Sequence, residues 1–500
     1  MNKITLFVTS DLHGSIMPYS YADNQEKAMG MAKISQYIHT HKDENTIVID
    51  NGDVLEGNAL LDYCYLNNLS PVSSKALQLM GVNYINLGNH DFNYGEKVLL
   101  THLSKFNCLS GNVRYHDKRI GNRVTIHEFA NGKKMALIGA VTHFVNVWEK
   151  PDHIRNFKIS DAFDFISQAV DYAKNSCKVD YVTVVYHGGF ECDLQTGVPI
   201  EKLTGENQGY RILNEIKGID ILITGHQHRS IAQVINGVAI TQTAFMGKEL
   251  ASIVIDDNGI HPSLITPQCC CDINMCNEFK NLEAKVQQWL DQPIGKLAYD
   301  LLINDGFKAR LTKHPLVSLF NLVTMEVSHA QLASNALFND AKGFNATITM
   351  RDLVSSYMYP NTIVVLKVSG QILKEYLEQC ANYFTIKDGQ ICVSPSYIEP
   401  KPQHYNYDMV DGICYTIKVS NPIGKRIIDL TYEGKQVLDT DTFTLALNNY
   451  RAAGGGNFDM FKNCEVVKEI NESMVTLLSE YIMHHQPLQI HHRNNIEVIY

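Results

Sequence analysis

Five runs of this chain read as buried β-strands, and each ends in a short loop built from Asp, Asn, His and Gly. KITLFVTS leads into Asp11-Leu-His13, TIVIDNG into Asn51-Gly-Asp53, and YINLGN into Gly88-Asn-His-Asp91. YVTVVY leads into His187-Gly-Gly189 and IDILITG into Gly225-His-Gln-His228. Between them AMGMAKISQYIHTH, SSKALQLMG and DAFDFISQAVDYAKN carry apolar residues at the i, i+3, i+4 spacing of amphipathic helices. Strands alternating with helices predict an α/β domain in which helices cover a sheet. Loops that all follow strands place hard oxygen and imidazole donors along one sheet edge.

The remainder organises around that block. NRVTIHEFANGKKMALIGAV predicts a hairpin turning at Asn131-Gly132, and VINGVAITQTA with LASIVIDDNG predicts a strand pair that closes the domain. Asn277 to Leu290 reads as a polar helix stopping before Pro293. Beyond Ile294 the pattern becomes α+β, with helical HPLVSLFNLVTMEV and SGQILKEYLEQCANYF among the strands NTIVVLKV, GICYTIKV and DTFTLALNNY. Five hundred residues exceed one ordinary core. The expected organisation is a catalytic domain over 1–270, a linker helix over 271–293 and a substrate domain over 294–500.

Composition narrows the partners. An apolar share of 45% and a charged share of 19% are globular values. A net charge of −10 without any basic stripe argues against a nucleic-acid polymer, whereas a small anion stays compatible because bound cations reverse the local field. No stretch approaches membrane-spanning length, the first strand begins at Lys3 without a leader-like segment before it, and the twelve cysteines are scattered. The expectation is a cytoplasmic protein with free thiols, no membrane association and no obligate protein partner. Cys269-Cys-Cys271 with Cys276 lacks a matching CxxC pair, and the adjacent histidines His484-His485 and His491-His492 point in different directions, so both read as structural or solvated clusters. Asp439-Thr-Asp441 reads as a turn.

Hydrolysis of a phosphate ester needs an activated water, neutralised phosphoryl oxygens and help for the leaving group. Two divalent ions about 3.5–4 Å apart supply the first two. Such a pair requires a shared carboxylate, several neutral imidazoles and an amide oxygen. Asp11, His13, Asp53, Asn89, His187, His226 and His228 make up that set, seven donors in five loops. One Asp or His at a strand end is ordinary turn chemistry; seven together point to a dimetal site. Asp53 is the natural bridging carboxylate, and His226 and His228, two apart, can face different ions.

The series DxH, GD, GNHD, HGG and GHxH, in this order, resembles the calcineurin-like metallophosphoesterases. The whole chain resembles the 5′-nucleotidase / 2′,3′-cyclic-nucleotide phosphodiesterase family, with Tyr405–Ser420 and Asn448–Phe458 similar to that family's nucleoside-binding segments. The resemblance implies a β-sandwich flanked by helices with a second α+β domain. It implies one ion held by Asp11, His13, Asp53 and His228, a second held by Asp53, Asn89, His187 and His226, and in-line attack by an activated water with His90 stabilising the transition state. In the 5′-nucleotidase branch an Asp three residues later orients this histidine. Here Asn93 stands in that place, and an amide cannot stabilise an imidazolium by charge. Asn93-Tyr-Gly95 resembles the cyclic-nucleotide phosphodiesterase branch, which points to 2′,3′-cyclic and 3′-nucleotides as substrates. The family's aromatic clamp on the base would fall on Tyr405 or Tyr407 together with Phe458, with Asn448, Asn449 and Arg451 contacting ribose or phosphate and Gly454-Gly-Gly456 admitting close backbone approach. The donor set suits manganese, zinc, iron or cobalt alike. Alternatives are a 5′-nucleotidase or nucleotide-sugar hydrolase using the same metals, and, in another class, a catalytically silent nucleotide-binding protein.

Overall fold

The computed structural model describes residues 3–22, 25–359, 361–399, 402–470 and 472–500. The chain divides into two compact units, Met1–Val286 and Gln287–Tyr500, and the division falls inside helix Ile273–Leu290. That helix buries Met275, Phe279, Glu283, Val286 and Leu290 at three- and four-residue spacing. The Glu283 carboxylate accepts from the hydroxyls of Tyr19 and Tyr21 at 2.7 and 2.6 Å.

The first unit is a sandwich of two six-stranded sheets. One runs Gly259–Ile265, Leu250–Asp256, Ile4–Thr9, Thr46–Asp50, Tyr84–Ile85, Asn107–Cys108; the other runs Ile231–Ile235, Val238–Gln242, Ile221–Thr224, Tyr181–His187, Lys134–Val141, Thr125–Glu128. Their central strands are parallel. The two-residue side-chain period sorts each strand between two cores. Met135, Leu137, Val185, Ile221 and Ile223 join Leu6, Val8, Ile47 and Ile49 between the sheets, while Ala136, Ile138, Val184 and Leu222 pack with Phe165, Ile166, Ala169 and Val170 of helix Ala162–Ser176. Burial on both faces is why these strands read as unbroken apolar runs.

Three expected helices form, as Met31–His41, Val72–Met80 and Ala162–Ser176, and the Asn131-Gly132 hairpin pairs Thr125–Glu128 with Lys134–Val141. One expected pairing is wrong. VINGVAITQTA does not pair with LASIVIDDNG: it folds on itself, Ile231–Ile235 against Val238–Gln242, in one sheet, while Leu250–Asp256 pairs with Gly259–Ile265 and Ile4–Thr9 in the other. YINLGN contributes only Tyr84–Ile85 to a strand, which ends before Asn86, whose N–H still donates to Asp50 O at 2.7 Å. The buried Asn86 amide donates to Asn51 Oδ1 and to the carbonyls of Ala140 and Val185, tying the two sheets at their carboxyl ends.

In the second unit a five-stranded sheet runs Asp408–Asp411, Leu332–Ala336, Thr442–Asn448, Ile363–Ser369, Glu465–Ile470. Helices Pro315–Ser328 and Gly370–Ala381 supply Leu316, Leu319, Phe320, Val323, Leu373 and Leu377 to its core. A four-stranded sheet of Lys435–Gln436, Ile427–Tyr432, Ile413–Lys418 and Ile496–Ile499 completes it. The α/β sandwich followed by an α+β unit is the architecture the sequence predicts.

Candidate metal centre

All seven expected donors of the first unit lie at or just beyond the carboxyl ends of neighbouring parallel strands: Ile4–Thr9, Thr46–Asp50 and Tyr84–Ile85 of one sheet, Tyr181–His187 and Ile221–Thr224 of the other. His187 ends its strand; five others sit in the left-handed region, Asp11, His13, Asp53, His226 and His228, with φ from 46° to 69°. Each such conformation costs an L-residue about 1–2 kcal/mol, so the surrounding bonds must hold the loops against it. Asp11 N–H donates to Gly52 O at 2.9 Å and His13 N–H to Asp53 O at 2.8 Å. The Asp91 carboxylate accepts from four backbone N–H groups, those of Gly88, Asp53, Val54 and Leu55, at 2.8 to 3.1 Å. The second and third loops touch closely enough that a Cβ on Gly88 would lie 2.1 Å from Asp53 Oδ1 and one on Gly52 2.1 Å from Gly88 N. Only glycine fits at either place.

The donors gather in two groups, Asp11 with His13 and His228, and Asp53 with His187 and His226, the ligand atoms of each lying within 4.8 Å of one another. His13 Nδ1 donates to Glu56 O at 2.8 Å and His187 Nδ1 to Asn51 O at 2.6 Å. A carbonyl can only accept, so both rings carry their proton on Nδ1 and direct Nε2 inward. His13 Nε2 then meets His228 Nε2 at 3.2 Å, and His187 Nε2 meets Asp53 Oδ2 at 3.2 Å. The His228 Nε2 lies 3.3 Å from Asp11 Oδ1. His226 Nε2 lies 3.0 Å from Glu206 Oε1 and its Nδ1 2.8 Å from Asn89 Oδ1. Asp53 Oδ2 and His187 Nε2 are buried and accept or donate no hydrogen bond among the described residues. Each of these close nitrogen–nitrogen and nitrogen–carboxylate approaches needs a proton or a cation between its atoms, and two such groups of carboxylate and imidazole donors fit two cations.

The same crowding moves the ionisation of these groups. Burial opposes charge on Asp11 and Asp53, yet His187 together with His228 beside Asp11, and His187 with His90 beside Asp53, hold both carboxyls well below the usual range. Burial likewise disfavours charge on His187, but Asp53 and Asp11 push it up to about 9, so a proton on Nε2 is what a cation held there would displace.

His90 belongs to neither group. Its backbone N–H donates to Asp53 Oδ1 at 2.7 Å, and its Nδ1 lies 2.7 Å from Asn93 Oδ1. Asn93 Nδ2 donates in turn to Glu149 Oε2 at 2.6 Å, which fixes the amide's orientation. Glu56, which sequence reasoning did not single out, brings a carboxylate to the ring, Oε2 at 3.0 Å from Nδ1. Burial works against charge on His90, and the Asp53 and Glu56 carboxylates outweigh it, pushing the ring up to about 10. Asp91, Glu149 and Glu206 were missed as well. Their acidic side chains beside ligand motifs were the available signal, but which partner each one meets, backbone N–H groups for Asp91, the Asn93 amide for Glu149 and the His226 ring for Glu206, depends on tertiary packing.

The second unit gives a different result for the expected substrate contacts. Tyr407 and Phe458 are fully buried. Tyr407 stacks on Tyr383 at 4.8 Å, and Phe458 packs edge-on to Tyr376 at 5.4 Å under the Arg451 guanidinium at 4.0 Å. Rings whose faces the core already covers offer no face to a base, which corrects the expected clamp; Tyr405 alone of the three stays half-buried. Arg451 is also buried and binds Asp408 through Nε at 2.7 Å, with further bonds to Asn406 Oδ1 and the Tyr405 carbonyl. Asn448 caps the short helix Asn449–Ala452, and Asn449 exchanges two bonds with the Thr362 backbone. The triplet Gly454-Gly-Gly456 packs on this network, since a Cβ on Gly456 would lie 2.4 Å from both Arg451 Nη1 and Asn406 Oδ1. Arg451→Ala would strand the Asp408 carboxylate, and is expected to lower unfolding stability by about 3–5 kcal/mol in urea titration. A change in substrate KM without that stability loss would return Arg451 to the ligand-contact role.

The remaining clusters hold no metal-type group: the cysteines are free, and among the described residues neither they nor the C-terminal histidines join a donor set. Asp441 Oδ2 accepts from Leu438 N–H, closing the expected turn. No helix among the described residues is long and apolar enough to cross a membrane.

Residues 4–230 match the calcineurin-like phosphoesterase family and residues 284–463 the 5′-nucleotidase C-terminal domain. A crystal structure of a candidate 5′-nucleotidase from Staphylococcus aureus, in complex with alpha-ketoglutarate, is 35% identical with full coverage of both chains and a TM-score of 0.94. The 2′,3′-cyclic-nucleotide 2′-phosphodiesterase/3′-nucleotidase of Salmonella typhimurium is 26% identical over 90% of this chain and 81% of its own length. The trifunctional nucleotide phosphoesterase protein YfkN of Bacillus subtilis is 24% identical over 98% of this chain, which spans only 38% of that protein. This chain belongs to the calcineurin-like metallophosphoesterases that carry a 5′-nucleotidase C-terminal domain.

Proposed function

We propose that this protein hydrolyses nucleotide phosphoesters, with 2′,3′-cyclic nucleotides and 3′-nucleotides as its preferred substrates. The observation that carries the reading is the pair of donor groups, each of one buried carboxylate and two imidazoles whose ligand atoms lie within 4.8 Å of one another. In this reading Asp11, His13, Asp53 and His228 hold one cation and Asp53, Asn89, His187 and His226 the other. Bound there, the cations supply an activated water and neutralise the phosphoryl oxygens; manganese, zinc, iron and cobalt all suit these donors. The carbonyls of Glu56 and Asn51 fix the tautomers of His13 and His187, and Glu206 orients His226. His90, held through Nδ1, turns its other nitrogen to the developing charge on the phosphoryl group and the departing oxygen.

The preference among nucleotides rests on the His90–Asn93 pair and on the names of relatives such as the Salmonella typhimurium enzyme. For the base, the half-buried Tyr405 remains, with Tyr359 and Tyr450, also half-buried, close in sequence to the bonded Thr362 and Asn449. The different-class reading, a silent nucleotide-binding protein, has less support because no donor of either group is missing.

The test is phosphate release with each of the four metals. The expected result is a kcat/KM for 2′,3′-cyclic AMP and 3′-AMP at least about tenfold above that for 5′-AMP, a difference of about 1.4 kcal/mol in transition-state binding, with chelation abolishing all turnover. Preference for 5′-AMP would replace the finer reading with that of a 5′-nucleotidase. Tight nucleotide binding without turnover under every metal would replace it with the silent binder.

A further inference from the structure

We propose that Glu56 is a positioning residue for His90, supplying from the second strand-end loop the negative charge that the neutral Asn93 cannot. The inference rests on the role of His90 given above. Glu56 is 1% exposed, and a carboxylate loses several kcal/mol of hydration on burial unless a partner of opposite charge or a donor faces it. Neither of its oxygens has a hydrogen bond among the described residues; the side chain it faces is the His90 ring, with Oε2 3.0 Å from Nδ1.

The identity of that nitrogen matters. Asn93 presents Oδ1 to the same Nδ1 at 2.7 Å, and its amide cannot turn over because Nδ2 is committed to Glu149. Nδ1 therefore meets the Asn93 oxygen in a hydrogen bond and the Glu56 carboxylate in a close charge contact. The proton must reside there, and Nε2 is the nitrogen left for substrate. Asn93 thus fixes tautomer and ring plane, while Glu56 adds what an amide lacks, a full negative charge behind a ring that meets developing anionic charge in front. The same residue steadies the neighbouring ring by a separate route, its backbone carbonyl accepting from His13 Nδ1 at 2.8 Å. A side-chain substitution leaves that carbonyl in place, so the two roles can be separated.

The experiment compares wild type with E56Q in manganese on two esters, 2′,3′-cyclic AMP, whose leaving group is a poor ribose alkoxide, and bis-p-nitrophenyl phosphate, whose nitrophenolate departs without a proton. E56Q keeps size and hydrogen-bonding capacity and removes charge. The expected result is a fall in kcat on the cyclic nucleotide of about 10- to 100-fold, the usual effect of removing an outer-shell partner. KM and bound metal should stay unchanged, and the loss on the nitrophenyl ester should be at least about fivefold smaller. The triple variant E56Q/N93D/E149Q returns a carboxylate to the ring from the other side, with the amide introduced by E149Q donating to the carboxylate introduced by N93D. It should recover most of the cyclic-nucleotide rate. Equal losses on both esters, loss of metal in proportion to rate, or no loss at all would overturn the proposal. Wild-type turnover of 2′,3′-cyclic AMP is the control for the nucleotide reading itself. If that is absent, an alkyl phosphodiester replaces it and the variant comparison still reads Glu56 alone.

Discussion

Asp53→Asn is expected to lower hydrolysis of every phosphoester by about 10³-fold or more, since removing one preorganised charge-stabilising donor already costs about 10²–10³ and Asp53 is the carboxylate proposed to serve both cations. The carboxylate is buried, with Oδ1 taken by the His90 backbone N–H and Oδ2 facing His187 Nε2 at 3.2 Å. An amide keeps the first bond. At the second position its NH₂ would donate to His187 Nε2, satisfying without a cation or a second ring proton the contact that otherwise needs one of the two. The variant should therefore fold at least as well as wild type in chelator. Wild type should gain thermal stability as manganese is added, by mass action on the folded state, and the variant should lose most of that gain. Loss of rate should be equal for alkyl and nitrophenyl esters, because Asp53 acts before the leaving group is distinguished. An Asp53→Asn protein with wild-type turnover, or with an undiminished manganese shift, would remove Asp53 from the centre and with it the shared-carboxylate arrangement.

Much of this centre was legible because its chemistry is local. A strand must end before a side chain can turn across the sheet edge, and Asp11, His13, Asp53, Asn89, His187, His226 and His228 each announce themselves within a few residues of an apolar run. The residues that hold them were not legible. Glu56, Glu149 and Glu206 in loops and Asp91 in the single 3-10 turn His90–Phe92 are acidic residues indistinguishable in sequence from solvated ones until the partner side chain or backbone is known. The strand error near residue 240 has a similar origin. Asn236-Gly237, both with positive φ, are the two-residue turn that closes Ile231–Ile235 on Val238–Gln242, a local signal that outranked the tempting pairing of two apolar runs. Tyr407 and Phe458 show the converse limit. Aromatics beside glycines look alike whether they line a cleft or a core, and only the rings of Tyr383 and Tyr376 with the buried Arg451–Asp408 pair reveal which it is.

His90→Ala tests the other half of the centre, and its expected signature differs in kind from that of Asp53. The ring contributes no atom to either donor group, so metal content and the manganese stability shift should remain those of wild type. Removing a positioned acid typically costs about 10²–10⁴ in kcat, and that range is expected for 2′,3′-cyclic AMP, where an alkoxide must leave. On bis-p-nitrophenyl phosphate the leaving group needs no proton, and only the charge-stabilising share of the ring's work is lost, so the fall should be at least about tenfold smaller. KM should move little on either ester, because the interaction strengthens only as the transition state forms. The truncation also leaves the Glu56 carboxylate buried without the ring it faces, so the alanine variant should be less stable than Glu56→Gln in the same background. A uniform loss on both esters, or release of metal, would instead make His90 a support for the Asp53 loop through its backbone bond, and the departing oxygen would then have to be served by another group.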